Sequence, residues 1–340
     1  MNLESVARRA GVSAATVSRV LNDVGAVRPA TRERVLRAVA ALNYHPNLNA
    51  RTLAGGRSRT LGLIVSNLEN PFFVDVFRGL DAEAHERGYE LLIGNTDYRP
   101  ERLAASVRLM IGRRVTGLAL VVSEMEPAVT RELAAAGVPV VFYDVGRPGP
   151  SFTNLRVDYA GGMEAILAHL RGLGHRRLAF VGHHLSLGPL HERRQAFLRL
   201  AASGRPRMEV RTVANADSPT GGQQAVREIL ASGFEPTAIV AVNDNMALGV
   251  LAELEAQGLA VPRDVSVTGF DDIGLAAFSS PALTTVDIPR TEIGRLMCEA
   301  LLATGGRRDR RIATRLVVRG STGAAPASGP VPRSRRRGRM

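Results

Sequence analysis

Between residues 60 and 272 the chain alternates short apolar runs with amphipathic helical stretches, and it does so in two successive series. The first comprises TLGLIVS, YELLIGN, GLALVV and VPVVFYD, with helical spacing over 72–87, 101–113 and 127–136. The second comprises RRLAFVG, EVRTVA, AIVAVND and VSVTGFDD, with helical spacing near 161–173, 193–202, 221–232 and 245–257. A strand that is apolar throughout must be covered on both faces, and helices joining parallel strands provide that cover. One series therefore builds one parallel sheet, and two build two lobes. The expected fold class is α/β, with a two-lobed body over residues 60–320 and crossings between lobes near 158 and 288.

Ahead of this body stands a segment of different texture. Asn2 can cap a helix to Ala10 that carries Leu3, Val6, Ala7 and Ala10 on one face, and Gly11 can end it in a left-handed conformation. Ser13 can cap a second helix, Ala14 to Leu21, with Val17, Val20 and Leu21 inward. A third, Ala30 to Leu42, is expected to bury Val35, Leu36, Val39 and Leu42. Three short helices around one core, the first two joined by a tight glycine turn, form a helix-turn-helix unit, expected over residues 1–45. The outward positions of its second helix are Ala14, Ala15, Thr16, Ser18, Arg19 and Asn22. Alanines let the backbone approach a groove floor, while the hydroxyls, the helix N-terminus and Arg19 can meet phosphates or base edges.

Charge supports that reading. Ten arginines against three acids in residues 1–59, with five arginines in 331–340, account for the whole net charge of +12 and leave the middle balanced. Positive charge gathered at one end of a neutral body is the footprint of a small domain placed on a polyanion. An ordinary solvated surface would spread it.

The runs VARRAGVSAATVSRVLN and TRERVLRAVAALNYHPNLNARTLAGGRS resemble the DNA-binding head and hinge of the lactose-repressor/galactose-repressor (LacI/GalR) family. The resemblance implies a cytoplasmic, ligand-controlled transcriptional regulator, a repressor, acting as a homodimer on a pseudo-palindromic double-stranded DNA operator. It implies that Ala14, Ala15 and Arg19 carry most operator choice, while Ser13, Thr16, Ser18 and Asn22 hold phosphates or register. Residues 46–59 match the family's hinge. A helix from Asn47 to Ala54 is too short to be stable alone, and the resemblance implies that two hinges pair in the minor groove, using Asn47, Ala50 and Arg51, with Leu53 wedged between base pairs.

Open parallel sheets bind ligands beyond the carboxyl ends of their strands. Asn67, Asn95, Asp97, Asp144, Asn243, Asp244, Asp271 and Asp272 all follow strand-like runs, which predicts a polar cleft between the lobes; Asp244 and Asp272 are expected to be helix caps. NPFF, at residues 70–73, sets two aromatics at a helix start in a chain with only 4% aromatic residues. The body resembles the family's effector-binding region, which shares the fold of periplasmic sugar-binding proteins. Position by position, the resemblance implies an effector site of Phe72, Phe73, Asp97, Asp144, Arg193, Asn243 and Asp271, with a sugar or sugar derivative as the small-molecule effector. Ala196 replaces a usual glycine of the arginine motif, and Ala216 stands where some members carry an aromatic. The first-lobe surface, including the helix after NPFF, is implied as the dimer interface.

The other function classes are weak. No apolar run suits a membrane span, and the N-terminus lacks the apolar core of a signal peptide, which predicts the cytoplasm. The single cysteine, Cys298, lies in the helical run IGRLMCEALL and is expected in the core. GLGHRR lacks the third glycine of a dinucleotide fingerprint and follows a helix, while a chain without lysine can hold no GxxxxGK[ST] loop. His183, His184 and His191 lack metal-ligand spacing and are expected as loop residues or ligand contacts. No enzyme activity, cofactor or metal is expected. The alternative is a soluble sugar-binding protein without a regulatory role, disfavoured by the complete head. Residues 321–340, rich in Pro, Gly and Ala and ending RSRRRGRM, are expected to be disordered.

Overall fold

A computed structural model describes residues 2–22, 25–44, 58–146, 149, 152–185, 188–303 and 309–326. The chain divides into two compact units, Met1–Ser58 and Arg59–Met340. The hinge residues Asn47, Ala50, Arg51 and Leu53 lie outside the described residues.

The first unit consists of α1 (Leu3–Ala10), α2 (Ala14–Asn22) and α3 (Pro29–Ala41). Asn2 caps α1 by accepting the Ser5 amide at 3.0 Å, and Gly11 closes it at φ +62°, a conformation that would strain any side chain. Ser13 Oγ accepts the Thr16 amide at 3.2 Å and starts α2. The shared core is Val6, Ala7, Ala10, Val17, Val20, Val35 and Ala38. Leu36, expected inside, is 47% exposed, and Ala38 takes the inward place. Val35, Ala38, Val39 and Leu42 hold the i, i+3, i+4, i+7 spacing of one helix face, from which Leu36 is turned away.

The second unit holds two sheets. In the first lobe six parallel strands run in the order β11-β5-β4-β3-β1-β2, namely β1 (Thr60–Val65), β2 (Glu90–Asn95), β3 (Gly117–Val121), β4 (Val140–Tyr143), β5 (Thr153–Val157) and β11 (Arg310–Ile312). The second lobe has four parallel strands in the order β7-β6-β8-β9: β6 (Arg177–Gly182), β7 (Glu209–Ala214), β8 (Ala238–Ala241) and β9 (Ser266–Thr268). Central strands such as β3 and β8 are buried throughout, while the edge strands β2 and β7 are largely exposed. Helices α4 (Pro71–Glu86), α5 (Pro100–Gly112) and α6 (Pro127–Ala136) serve the first lobe; α7 (Tyr159–Gly172), α8 (Gly188–Ser203), α9 (Pro219–Ala231) and α10 (Asp244–Ala256) serve the second. α8 starts five residues before the run marked in the sequence, because Pro189 is tolerated in a first helical turn and Leu190 is buried there. Among the described residues no helix is long and apolar enough to cross a membrane.

The chain passes between lobes after β5, after β10 (Thr285–Asp287), and again between β11 and β12 (Arg315–Val317), which pairs antiparallel with β10. The last passage has no local sequence signal. After the short α11 (Gly274–Phe278), helix α12 (Arg290–Leu302) returns from the second lobe to pack along α4. Gly79 and Gly294 lie where the two helices meet, and a Cβ on either would run into backbone of the other helix. Cys298 is fully buried on α12, and burial pushes its thiol up to about 11.

Residues 321–326 are not a free tail. Ser321 is fully buried; its hydroxyl donates to the Val267 carbonyl at 2.6 Å and accepts the Thr284 amide at 2.8 Å. Gly323 O accepts from His175 Nε2 at 3.0 Å, and the Ala325 amide donates to Leu173 O at 2.8 Å. Composition suggested disorder because these bonds are almost all long-range and leave no periodic trace.

Candidate functional site

On the head, Ala15 and Arg19 are exposed on α2, whereas Ala14 is half-buried and packs against the head core. Ala14 is therefore less available than its outward position on the helix implied. The Ser13 and Thr16 hydroxyls lie 3.0 Å apart and bond each other. Ser18 is half-buried, and the Asn22 side chain lies outside the described residues.

In the body, loops at the carboxyl ends of the strands meet between the lobes. Phe72, Phe73, Arg193, Asn243 and Asp271 converge there, joined by Asn70, Tyr98, Tyr143 and Asp217. The space left among them is about 20 Å³, room for a single water. Phe72 and Phe73 pack edge to face at 5.2 Å from the first lobe. From the second, Arg193 Nη2 lies 2.7 Å from Asp271 Oδ1, Nη1 donates to Val242 O at 3.0 Å, and the guanidinium rests on the Phe270 ring at 4.4 Å and the Tyr159 ring at 5.0 Å. Both side chains are 3% exposed. Burial works against the Arg193 charge, but Asp271 and the two tyrosines outweigh it and hold its pKa above the ordinary arginine range. At Asp271 burial prevails over Arg193 and pushes the carboxyl up to about 6. Asp271 lies at φ +114° and Asp272 at φ +53°, backbone conformations that cost on the order of 1–3 kcal/mol each for a side-chain-bearing residue. The Arg193 pair, and an Arg290 Nη1 bond to Asp271 O, hold the turn in place.

Asn243 both caps α10, accepting the Met246 amide at 2.9 Å, and donates to Asp217 Oδ1 at 2.6 Å. Asp217 is the junction of the lobes. Its backbone carbonyl accepts Asn67 Nδ2 at 3.1 Å, and its Oδ2 accepts Asn70 Nδ2 at 3.4 Å and the Tyr98 hydroxyl. Burial, then the charge of Asp217, keeps that phenol protonated far above its ordinary range. Beneath the cleft, buried Glu124 accepts from Ser66 Oγ at 2.6 Å and from Thr96 Oγ1.

Two expected residues fall outside this cleft. The Asp97 side chain is 62% exposed and faces Arg102 at 3.6 Å, because φ +57° at Asp97 and +56° at Tyr98 turns the chain so that Tyr98 points inward. Asp144 Oδ2 accepts the Val157 amide at 2.7 Å and braces β4 to β5; it lines an adjoining cavity of about 480 Å³ that shares Val122 and Ser123 with the cleft and includes His191, Glu192 and Arg199 of the second lobe. Burial raises its pKa. Asp244 and Asp272 are not the expected helix caps. Asp244 accepts the Thr285 hydroxyl at 2.5 Å and the Ile273 amide at 2.9 Å, and Asp272 pairs with Arg319 at 2.7 Å. His183 stacks on Tyr98 at 5.0 Å between ring centres, and burial lowers its pKa. Tyr98 and Asp217 both follow strands, but neither was singled out by the sequence; each stands beside a position that was, Asp97 and Ala216. Among the described residues no group of three or more His, Cys, Asp or Glu could hold a metal.

A head of this form on a two-lobed body finds its match among known proteins. Residues 2–47 match the model of bacterial regulatory proteins of the lacI family, and residues 167–322 that of a periplasmic binding protein-like domain. The HTH-type transcriptional repressor PurR of Vibrio cholerae serotype O1 (strain M66-2) is 34% identical over 310 residues, covering 88% of this chain and 90% of its own. The chain belongs to the lacI family. It is a DNA-binding transcriptional regulator of that family with a ligand-binding domain. The ribose operon repressor of Haemophilus influenzae is 32% identical over 307 residues, 88% of this chain and 90% of that one. Among solved structures, the lac repressor dimer bound to operator and the anti-inducer ONPF superposes with a TM-score of 0.83 at 29% identity, covering 95% of this chain and 99% of that one.

Proposed function

We propose that this family member is a repressor that binds a pseudo-palindromic operator as a homodimer and changes its operator affinity when a small molecule, a sugar or sugar derivative, occupies the interlobe cleft. The observation that carries the reading is the buried Arg193–Asp271 pair opposite Phe72 and Phe73, a charged and an aromatic wall facing one another across the lobes. Guanidinium and carboxylate offer charge-assisted hydrogen bonds to hydroxyls and carbonyls. A ligand that favours one arrangement of the lobes shifts the population toward it and so can govern the head. Phe72, Phe73, Arg193, Asn243 and Asp271 are proposed as effector contacts; Asp97 and Asp144 are not.

On the head, Ala15 and Arg19 are proposed to read the major groove, Ala14 to permit close approach, and Ser13, Thr16, Ser18 and Asn22 to hold phosphates. Asn47, Ala50, Arg51 and Leu53 are proposed to act in the minor groove. Dimer formation through the first lobe suits its surface: edge strand β2 exposes Leu92 and Ile93, and Leu109 on α5 is 57% exposed. The lac repressor neighbour is itself a dimer on operator, and one relative is named for the ribose operon.

The test is a gel shift with and without each compound of a sugar panel. Arg193→Lys and Asp271→Asn are expected to keep operator binding and lose the response to the active compound. A retained response in either variant refutes the assignment.

A further inference from the structure

The cleft buries two carboxylates but one guanidinium. Asp271 takes the guanidinium of Arg193 at 2.7 Å. Asp217, 4% exposed, takes none: among the described residues its oxygens accept from the side chains of Asn243 at 2.6 Å, Asn70 at 3.4 Å and Tyr98, all neutral donors. The neighbouring imidazole, His183, is disfavoured as a cation by burial. A carboxylate withdrawn from water and balanced by neutral donors alone gains from every further donor and rejects negative charge. Asp217 is also where Asn67, Asn70 and Tyr98 of the first lobe reach the second. Whatever exchanges bonds with this carboxylate acts on lobe closure directly.

We propose that Asp217 sets the chemical class of the effector: a donor-rich molecule without negative charge at this end, whose O–H or N–H takes the Oδ2 position held by the Tyr98 hydroxyl. The inference rests on the cleft being the effector site. One donor replaces another on the same oxygen, so the exchange costs Asp217 no hydrogen bond while it releases the Tyr98 tie between lobes. A phosphate placed at this end meets like charge and is rejected. A flat base with few donors leaves the carboxylate short of partners and is disfavoured.

Calorimetric titration of the full chain with D-ribose, D-glucose, D-glucosamine, glucose 6-phosphate and hypoxanthine tests this. A neutral or amino sugar is expected to bind tightest. Asp217→Asn is expected to weaken that sugar by about tenfold, and Tyr98→Phe, which vacates the phenol's place on Oδ2 and leaves only Asn70 there, to tighten it by roughly threefold. Glucose 6-phosphate or hypoxanthine as the tightest binder, or sugar affinity unchanged in Asp217→Asn, overturns the proposal. Arg193→Lys separates the two failures: a sugar that binds this variant and Asp217→Asn as well as wild type sits outside the cleft, whereas loss in Arg193→Lys alone keeps the cleft and removes Asp217 from it. With no heat from any probe, small-angle scattering of the unliganded chain decides. Tyr98→Phe and Asp217→Asn are expected to raise the radius of gyration, and an unchanged radius overturns the role of Asp217.

Discussion

The head and the body solve different problems with different chemistry. Polar contacts in the head are local: Asn2 to Ser5 and Ser13 to Thr16, each three residues apart, around a core of small side chains. The body's decisive contacts join distant residues, such as Tyr98 to Asp217, Asn67 to Asp217 and Arg193 to Asp271. A surface meant to enter a groove needs a rigid, locally specified helix. A cleft meant to respond to a ligand needs partners carried on separate lobes that can part. Damage to one region should therefore be silent in the other, except where ligand and operator communicate.

The largest expected effect is at the buried ion pair. Arg193→Ala leaves Asp271 uncompensated and is expected to cost about 3–5 kcal/mol, read as a shift of the body's denaturant midpoint. Arg193→Met combined with Asp271→Asn, which keeps a side chain tolerant of φ +114° and removes the buried charge, should recover part of that loss; a double variant as unstable as the single one breaks the account of the pair. Next, Val17→Ala removes two methyl groups from the small head core and is expected to cost about 2–3 kcal/mol, abolishing operator binding while the body's melting transition stays in place. A shifted body transition would contradict the independence of the two regions. Ser13→Ala removes the cap of α2 and is expected to cost about 1 kcal/mol, seen as faster amide exchange over 14–17. The mildest effect is that of pH. Because the folded Asp271 carboxyl is raised from 3.8 to about 6, the folded state holds its proton more firmly, and the stability this group contributes is present at low pH and lost as pH rises through about 6. The ion pair with Arg193 forms in the opposite sense, so ligand response is expected to fade as pH is lowered through about 6. A response flat from pH 7 to 5 would remove Asp271 from ligand recognition.

The same contrast explains what was legible in the sequence. Helix caps at Asn2 and Ser13, the Gly11 turn and the inward valines are written in spacings of three or four residues, so the head could be drawn before the structure. Alternating apolar runs likewise gave the two parallel sheets. Leu36 misled because its residue type outvoted its phase on α3. Asp97 misled because a pair of left-handed residues, 97 and 98, exchanged which side chain faces the cleft. The β12 passage and the docking of 321–326 left no pattern, since their bonds reach residues as far away as His175. Asp217 was hidden for a similar reason: its three first-lobe partners lie more than a hundred residues before it.

The basic head is expected to read a specific DNA sequence. Fluorescence anisotropy of the full chain at about 0.15 M salt, with the pseudo-palindromes upstream of its own coding sequence beside scrambled duplexes of equal composition, tests it most directly. One palindrome is expected to bind at least about 10³-fold more tightly than its scrambled partner. Equal affinity for both, falling together as salt is raised, would reduce the head to a nonspecific polycation and contradict the account.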